Sequence, residues 1–124
     1  MILGIGVDTV RIARLEKSLA SPSFMEKVFG PGERALLAAT APARRAERAA
    51  GCWAAKEAFL KAAGRGIGGF ALAEIQALRR PSGAPYYELS GAAAAWAAEN
   101  KAAVHLSITH DGGAAVAFAV AETV

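Results

Sequence analysis

The chain of 124 residues fits one domain and leaves little room for a second. Lys and Arg total 14 against 11 Asp and Glu, a formal charge of +3; 54% of the residues are hydrophobic, but about a quarter are alanine and only 7% aromatic, so the core is modest and association with other copies is a natural supplement. A single cysteine, Cys52, excludes an intrachain disulfide framework and any multi-cysteine metal site, no run of about 20 uncharged apolar residues is present to span a membrane, and the early Asp8 with no basic stretch before it argues against a signal peptide, which together predict a soluble, cytoplasmic, mildly basic domain.

Residues 2–8 predict a short strand. Leu3, Ile5 and Val7 alternate with Ile2, Gly4, Gly6 and Asp8; the first set can face a core, and the second offers two glycines and a carboxylate with room for something to approach. An amphipathic helix follows, with Ile12, Leu15 and Leu19 on one side and Arg11, Arg14 and Lys17 forming a basic edge. Ser21-Pro22 ends it, and two short helical pieces are expected around residues 24–29 and 33–39. A long helix comes next, with Thr40 as N-cap and Pro42 just inside, running to residue 63 before Gly64 stops it. The segment GRGIGG reads as a loop. Residues 70–80 and 85–90 predict two strands joined by a turn at 81–84, Ser90 caps an alanine-rich helix to about residue 101, and residues 104–110 and 114–122 form a closing hairpin around Asp111-Gly112-Gly113. This order predicts an α+β domain with a largely antiparallel sheet packed against a long helix and shorter ones.

Three places carry candidate chemistry. Asp8 ends the first strand beside glycines, either as a carboxylate exposed at a cleft or as a cap of the next helix. Trp53, Glu57 and Lys61 share one face of the long helix by i, i+4, i+8 spacing. Glu57 and Lys61 read as a plain surface pair or, because Gly64, Gly66, Gly68 and Gly69 follow, as part of an anion site where backbone amides and a lysine converge. No Walker loop is present, since the lysine precedes the glycines. In the penultimate strand His105, Ser107 and Thr109 alternate with Val104, Leu106 and Ile108, a polar face suited to phosphate or ribose oxygens or simply to water. His105 and His110, five apart on a strand, point to opposite faces and make a poor zinc pair. Two carboxylates, a lysine and no thiolate set favour a hard cation such as magnesium, if Asp8 and Glu57 meet in space.

The segments MILGIGVD, WAAKEAFLKAAGRGIG and HLSITH with AVAFAVAE, in this order and spacing, resemble holo-(acyl-carrier-protein) synthase, the small type of 4′-phosphopantetheinyl transferase. The resemblance covers most of the chain. It implies transfer of the phosphopantetheine arm of coenzyme A to a serine of apo acyl carrier protein, in support of fatty acid or polyketide biosynthesis, with magnesium as cofactor and a homotrimer whose sites lie between subunits. By the same resemblance Asp8 and Glu57 are the metal ligands and Lys61 approaches the phosphates, near Gly64 and Gly66. His105, Ser107 and Thr109 line the coenzyme A site. Arg11, Arg14 and Lys17 then offer a basic edge to an acidic carrier protein, with Arg44, Arg45 and Arg48 as a second candidate patch. The chain departs from the family at Cys52, where an arginine is frequent, at Arg11, where an acidic residue is common nearby, and in the turn before Tyr86. The competing reading is a non-catalytic domain that binds a nucleotide or an acidic protein, against which the full set of carboxylates and Lys61 counts. A charge of +3 and few aromatics speak against a nucleic-acid module.

Overall fold

A computed structural model describes residues 1–66 and 69–124; Gly68, one of the glycines singled out above, lies outside them. Among the described residues five α-helices and five strands follow in order: β1 (Ile2–Arg11), α1 (Ile12–Ser18), α2 (Pro22–Val28), α3 (Pro31–Ala39), α4 (Pro42–Ala62), β2 (Ile75–Arg79), β3 (Pro85–Leu89), α5 (Gly91–Glu99), β4 (Ala102–Asp111) and β5 (Ala114–Thr123). The strands form two antiparallel sheets, one of order β1-β5-β4 and one of β2-β3. The predicted α+β architecture is therefore present, and β1 is longer than expected because it stays paired with β5 out to Arg11↔Ala114.

The core is a contact between small residues. Helix α4 lies on the three-stranded sheet with Ala54, Ala55, Ala58 and Ala62 buried, and β5 answers with Ala115, Ala117, Ala119 and Ala121, all fully buried. On β1 the residues under the helix are Gly4 and Gly6. A Cβ built on either would overlap the carbonyl oxygen of Ala62 or Ala58, so strand and helix meet backbone to backbone. This reverses one expectation. Leu3, Ile5 and Val7 do not face the core; they are 40, 62 and 52% exposed, and Phe118 beside them on β5 is 45% exposed. The alternation is real, but α4 comes so close that only the glycine face fits beneath it.

Two boundaries also differ. Thr40 closes α3 instead of capping α4: its hydroxyl donates to the Leu36 carbonyl at 2.7 Å, and Ala41 takes the N-cap of α4. The strand expected from residue 70 starts only at Ile75, because Phe70 turns into a second apolar cluster with Phe59 and Ala93, and Leu72–Glu74 form a 3-10 turn. Helix α4 ends as its glycine requires. Gly64 has φ +71°, its N–H donates to the Lys61 carbonyl, and Arg65 N–H donates to Leu60, the paired bonds of a Schellman cap.

Candidate active site

The glycine contact fixes where Asp8 lies. Alternation from Gly4 and Gly6 puts its side chain on the α4 side of β1, within the strand and not at a helix cap. From α4, Lys61 reaches back across the same gap, its Nζ donating to the Val7 carbonyl at 2.8 Å and standing 3.5 Å from Asp8 Oδ1. Glu57, one turn earlier on the same helix face, completes the group. Burial and the neighbouring Asp8 charge push its carboxyl above the usual range, while Lys61 and Arg14 pull it down. The structure thus brings Asp8, Glu57 and Lys61 together, and adds Arg14 from α1. The Arg14 guanidinium lies 5.7 Å from the centre of the Trp53 ring, which stacks on Phe24 at 5.9 Å. Arg14 therefore joins the exposed edge it shares with Arg11 and Lys17 to the carboxylates.

Two neighbouring carboxylates, answered only in part by Lys61 and Arg14, offer a place for a cation. Among the described residues no cluster of three His, Cys, Asp or Glu could hold a metal by itself. A pair of hard oxygen donors that leaves most coordination positions to water and substrate suits magnesium and does not suit a structural zinc.

The other candidates are placed differently. Gly64 spends its N–H on the helix end, and Gly66 has open space where a side chain would stand. His105, Ser107 and Thr109 are exposed on the outer face of the sheet, turned away from α4 and from the carboxylates of their own chain; His105 Nε2 lies 2.7 Å from Glu122 Oε1. The helix-facing side of β4 instead carries Ile108 against Gly51, and His110, whose Nε2 lies 3.2 Å from the Glu47 carbonyl.

His110 belongs to a second polar site, of which sequence reasoning reached only the basic run Arg44, Arg45 and Arg48 and missed Arg79 and His110. A cleft of about 180 Å³ is lined by Arg44, Glu47, Arg48, Arg79 and His110. Partial burial and the charge of Arg48 hold the Arg79 guanidinium below its ordinary value, so positive charge here is crowded and only partly answered by Glu47. An anion would relieve that crowding. Cys52 lies one helical turn after Arg48 and is buried, with Sγ donating to the Ala77 carbonyl at 3.6 Å and its thiol pushed up to about 12 by burial. It is a neutral packing residue, and the positive charge stands on its neighbours. The i, i+4 spacing of Arg44, Arg48 and Cys52 was a visible signal; the arrival of Arg79 and His110 from β2 and β4 was not.

Comparison with known proteins identifies the family. A family model described as the 4′-phosphopantetheinyl transferase superfamily matches residues 4–119. A holo-[acyl-carrier-protein] synthase of Anaeromyxobacter dehalogenans is 44% identical over 98% of this chain and 97% of its own, and one of Shouchella clausii is 41% identical over 99% and 100%. Among solved structures, the holo-(acyl-carrier-protein) synthase of Bacillus anthracis in complex with CoA (3′,5′-ADP) superposes with a TM-score of 0.84 at 36% identity, covering 100% of this chain and 99% of that one. The Neisseria meningitidis synthase gives 0.88 at 30% identity, over 99% and 100%. The packed glycines of β1, the carboxylates they bring together and these likenesses along the whole chain have one explanation: the chain belongs to the 4′-phosphopantetheinyl transferase superfamily, in its holo-(acyl-carrier-protein) synthase family.

Proposed function

We infer that this chain transfers the 4′-phosphopantetheine arm of coenzyme A to a serine hydroxyl of an apo acyl carrier protein, releasing adenosine 3′,5′-bisphosphate. The observation that carries the reading is the convergence of Asp8 and Glu57 beside Lys61. Attack of a serine oxygen on the β-phosphorus of a diphosphate is phosphoryl transfer, in which positioning and charge neutralisation are the main tasks. Asp8 and Glu57 would hold a magnesium ion, which when bound neutralises negative charge on the diphosphate oxygens. Lys61, anchored on the Val7 carbonyl, keeps an ammonium beside the same oxygens. The test is the intact mass of an apo acyl carrier protein after incubation with this protein and coenzyme A. A magnesium-dependent gain of one phosphopantetheine, absent with EDTA, is expected; no gain with several carrier proteins would overturn the reading.

The arginine cleft extends the reading to the far end of coenzyme A. We assign it a phosphate of the nucleotide, in place of His105, Ser107 and Thr109. It lies toward the start of α4, nine residues or about 13 Å before Glu57 along the helix axis, and beside β4, whereas Asp8 is on β1 at the opposite sheet edge. The apolar outer face of Leu3, Ile5, Val7 and Phe118 supports contact with a second copy, and a homotrimer in which one chain's cleft serves its neighbour's carboxylates accounts for both features. Among the described residues no helix is long and apolar enough to cross a membrane, and a donor such as coenzyme A fits a cytoplasmic place. Arg48→Ala is expected to raise the KM for coenzyme A about tenfold, since a charge-assisted hydrogen bond is worth roughly 1.5–3 kcal/mol. It should leave kcat within about threefold, measured by steady-state transfer.

Arg11, Arg14 and Lys17, exposed on α1 and its entry, suit an acidic carrier protein. Arg14→Glu should weaken carrier-protein use more than coenzyme A binding, with the difference shrinking at high salt. Equal loss in both, by calorimetry and steady-state rates, would count against a docking edge.

A further inference from the structure

The free edge of β2 is held by side chains. Among the described residues β3 is its single strand partner. On the other side the Ala77 N–H donates to Glu33 Oε2 at 3.0 Å, the Ala77 carbonyl accepts from Cys52 Sγ at 3.6 Å, and the Ile75 carbonyl accepts from Lys56 Nζ at 2.6 Å. In an antiparallel pair alternate residues point their N–H and C=O toward and away from the partner, so Ile75, Ala77 and Arg79 make up this edge. Glu33 and Lys56 are themselves fully buried and paired at 2.5 Å. An apolar pair of similar volume often does as well for stability, so the pair calls for an explanation in what else it holds.

The contacts form a ladder between α4 and β2. Lys56 meets Ile75 and Cys52 meets Ala77. The rungs are about 6.0 Å apart along the helix and about 6.7 Å apart along the strand, so helix and strand keep step. One further step in the same direction sets Arg48 opposite Arg79, and both residues line the arginine cleft. The Arg79 guanidinium is tied to the hairpin turn as well, Nη1 donating to the Gly83 carbonyl at 3.1 Å. An apolar contact would let the strand slide along the helix. Bonds to the backbone of Ile75 and Ala77 hold one register, and a slip of one residue would turn Arg79 to the other face. We propose that Glu33 and Lys56 are positioning residues for the nucleotide phosphate: they set the register of β2 on α4 that brings Arg79 into the cleft beside Arg48, and they touch neither substrate nor metal. This deepens the assignment of a coenzyme A phosphate to the cleft and rests on it.

A mutant cycle with Arg79 tests it. The double variant Glu33→Leu, Lys56→Met removes both rungs without stranding a buried charge. It is expected to speed hydrogen exchange of the Ala77 amide and to raise the KM for coenzyme A about fivefold or more, with kcat within threefold. In the Arg79→Ala background, where that KM is already raised, the same pair of substitutions should change it less than twofold. If the apolar pair does not fold, Lys56→Gln in the Glu33→Gln background takes its place, neutral and one atom too short for the Ile75 carbonyl, with the same expected pattern. A double variant that melts lower but keeps its KM would overturn the proposal in favour of a purely structural pair. An effect of full size in the Arg79→Ala background would overturn it as well, because the pair would then act by another route. A hundredfold loss of kcat at constant KM would overturn it by placing the effect at the reacting atoms. Arg79→Ala with wild-type affinity for coenzyme A would sink the phosphate assignment, and the proposal with it. Should the wild type bind coenzyme A without transferring its arm, the same cycle read as dissociation constants by calorimetry decides on Glu33 and Lys56.

Discussion

Glu57→Gln is expected to lower phosphopantetheine transfer by about 10²–10³-fold or more, the scale of losing one group that stabilises transition-state charge, while the protein folds and still binds coenzyme A. The same substitution should stabilise the protein in EDTA. The Glu57 carboxyl in the fold lies above its ordinary value, first through burial and then through Asp8. The folded state therefore holds a proton that the unfolded chain has already lost, and stability falls as pH rises from the ordinary carboxylate value of 4.5 through the raised one. Gln carries no such charge. Glu57→Gln should melt above wild type at neutral pH without metal, and the difference should vanish below about pH 4. Excess magnesium should narrow it by binding the wild type alone. Wild-type turnover by Glu57→Gln, measured by carrier-protein mass, would remove Glu57 from the site.

The second large effect is expected at a residue with no side chain. Gly6→Ala places a methyl group against the Ala58 carbonyl and the Ala62 N–H, both backbone, so β1 and α4 must separate. Overpacking of this kind costs typically about 1–3 kcal/mol. The greater loss is expected in activity, because this contact sets how Asp8 meets Glu57 and Lys61, and a displacement of about 1 Å can cost about 10²-fold in rate. Thermal melting and steady-state transfer measure the two effects. Gly66→Ala is the comparison: its Cβ meets nothing within 4 Å, so stability should stay within about 0.5 kcal/mol. A Gly6→Ala enzyme with full activity would show that the strand–helix gap does not position the carboxylates.

Much of this molecule was legible in its residues. Glycine after Ala63, proline at Pro42 and the Gly112-Gly113 turn locate a long helix and a hairpin by local chemistry, which needs no knowledge of the rest of the chain. Glu57 and Lys61 share a helix face for the same reason. The arginine cleft was legible only in its helical half. Arg44 and Arg48 are neighbours on α4, but Arg79 and His110 come from β2 and β4, and a spacing pattern carries no information on which strands pass a given helix turn. Lys56 was equally hidden, since a lysine in a helix suggests a solvated charge until Glu33 and two carbonyls are found around it.

Alternation in β1 and β5 shows the division plainly. From the order of residues alone each strand has two faces, one of glycine or alanine and one of larger apolar residues, because side chains on a strand alternate with a period of two. The same order determined which residue types were available to hold a cation and a phosphate. Which face is inside depends on how α4 packs against the sheet. Hydrophobicity favours burying Leu3, Ile5, Val7 and Phe118, yet α4 approaches so closely that Gly4, Gly6 and the alanines of β5 are the residues that fit beneath it, and the larger set is turned outward. The same close approach carries Asp8 to Glu57 and Lys61. Local chemistry supplied these groups, and the distance at which two backbones can pass brought them together.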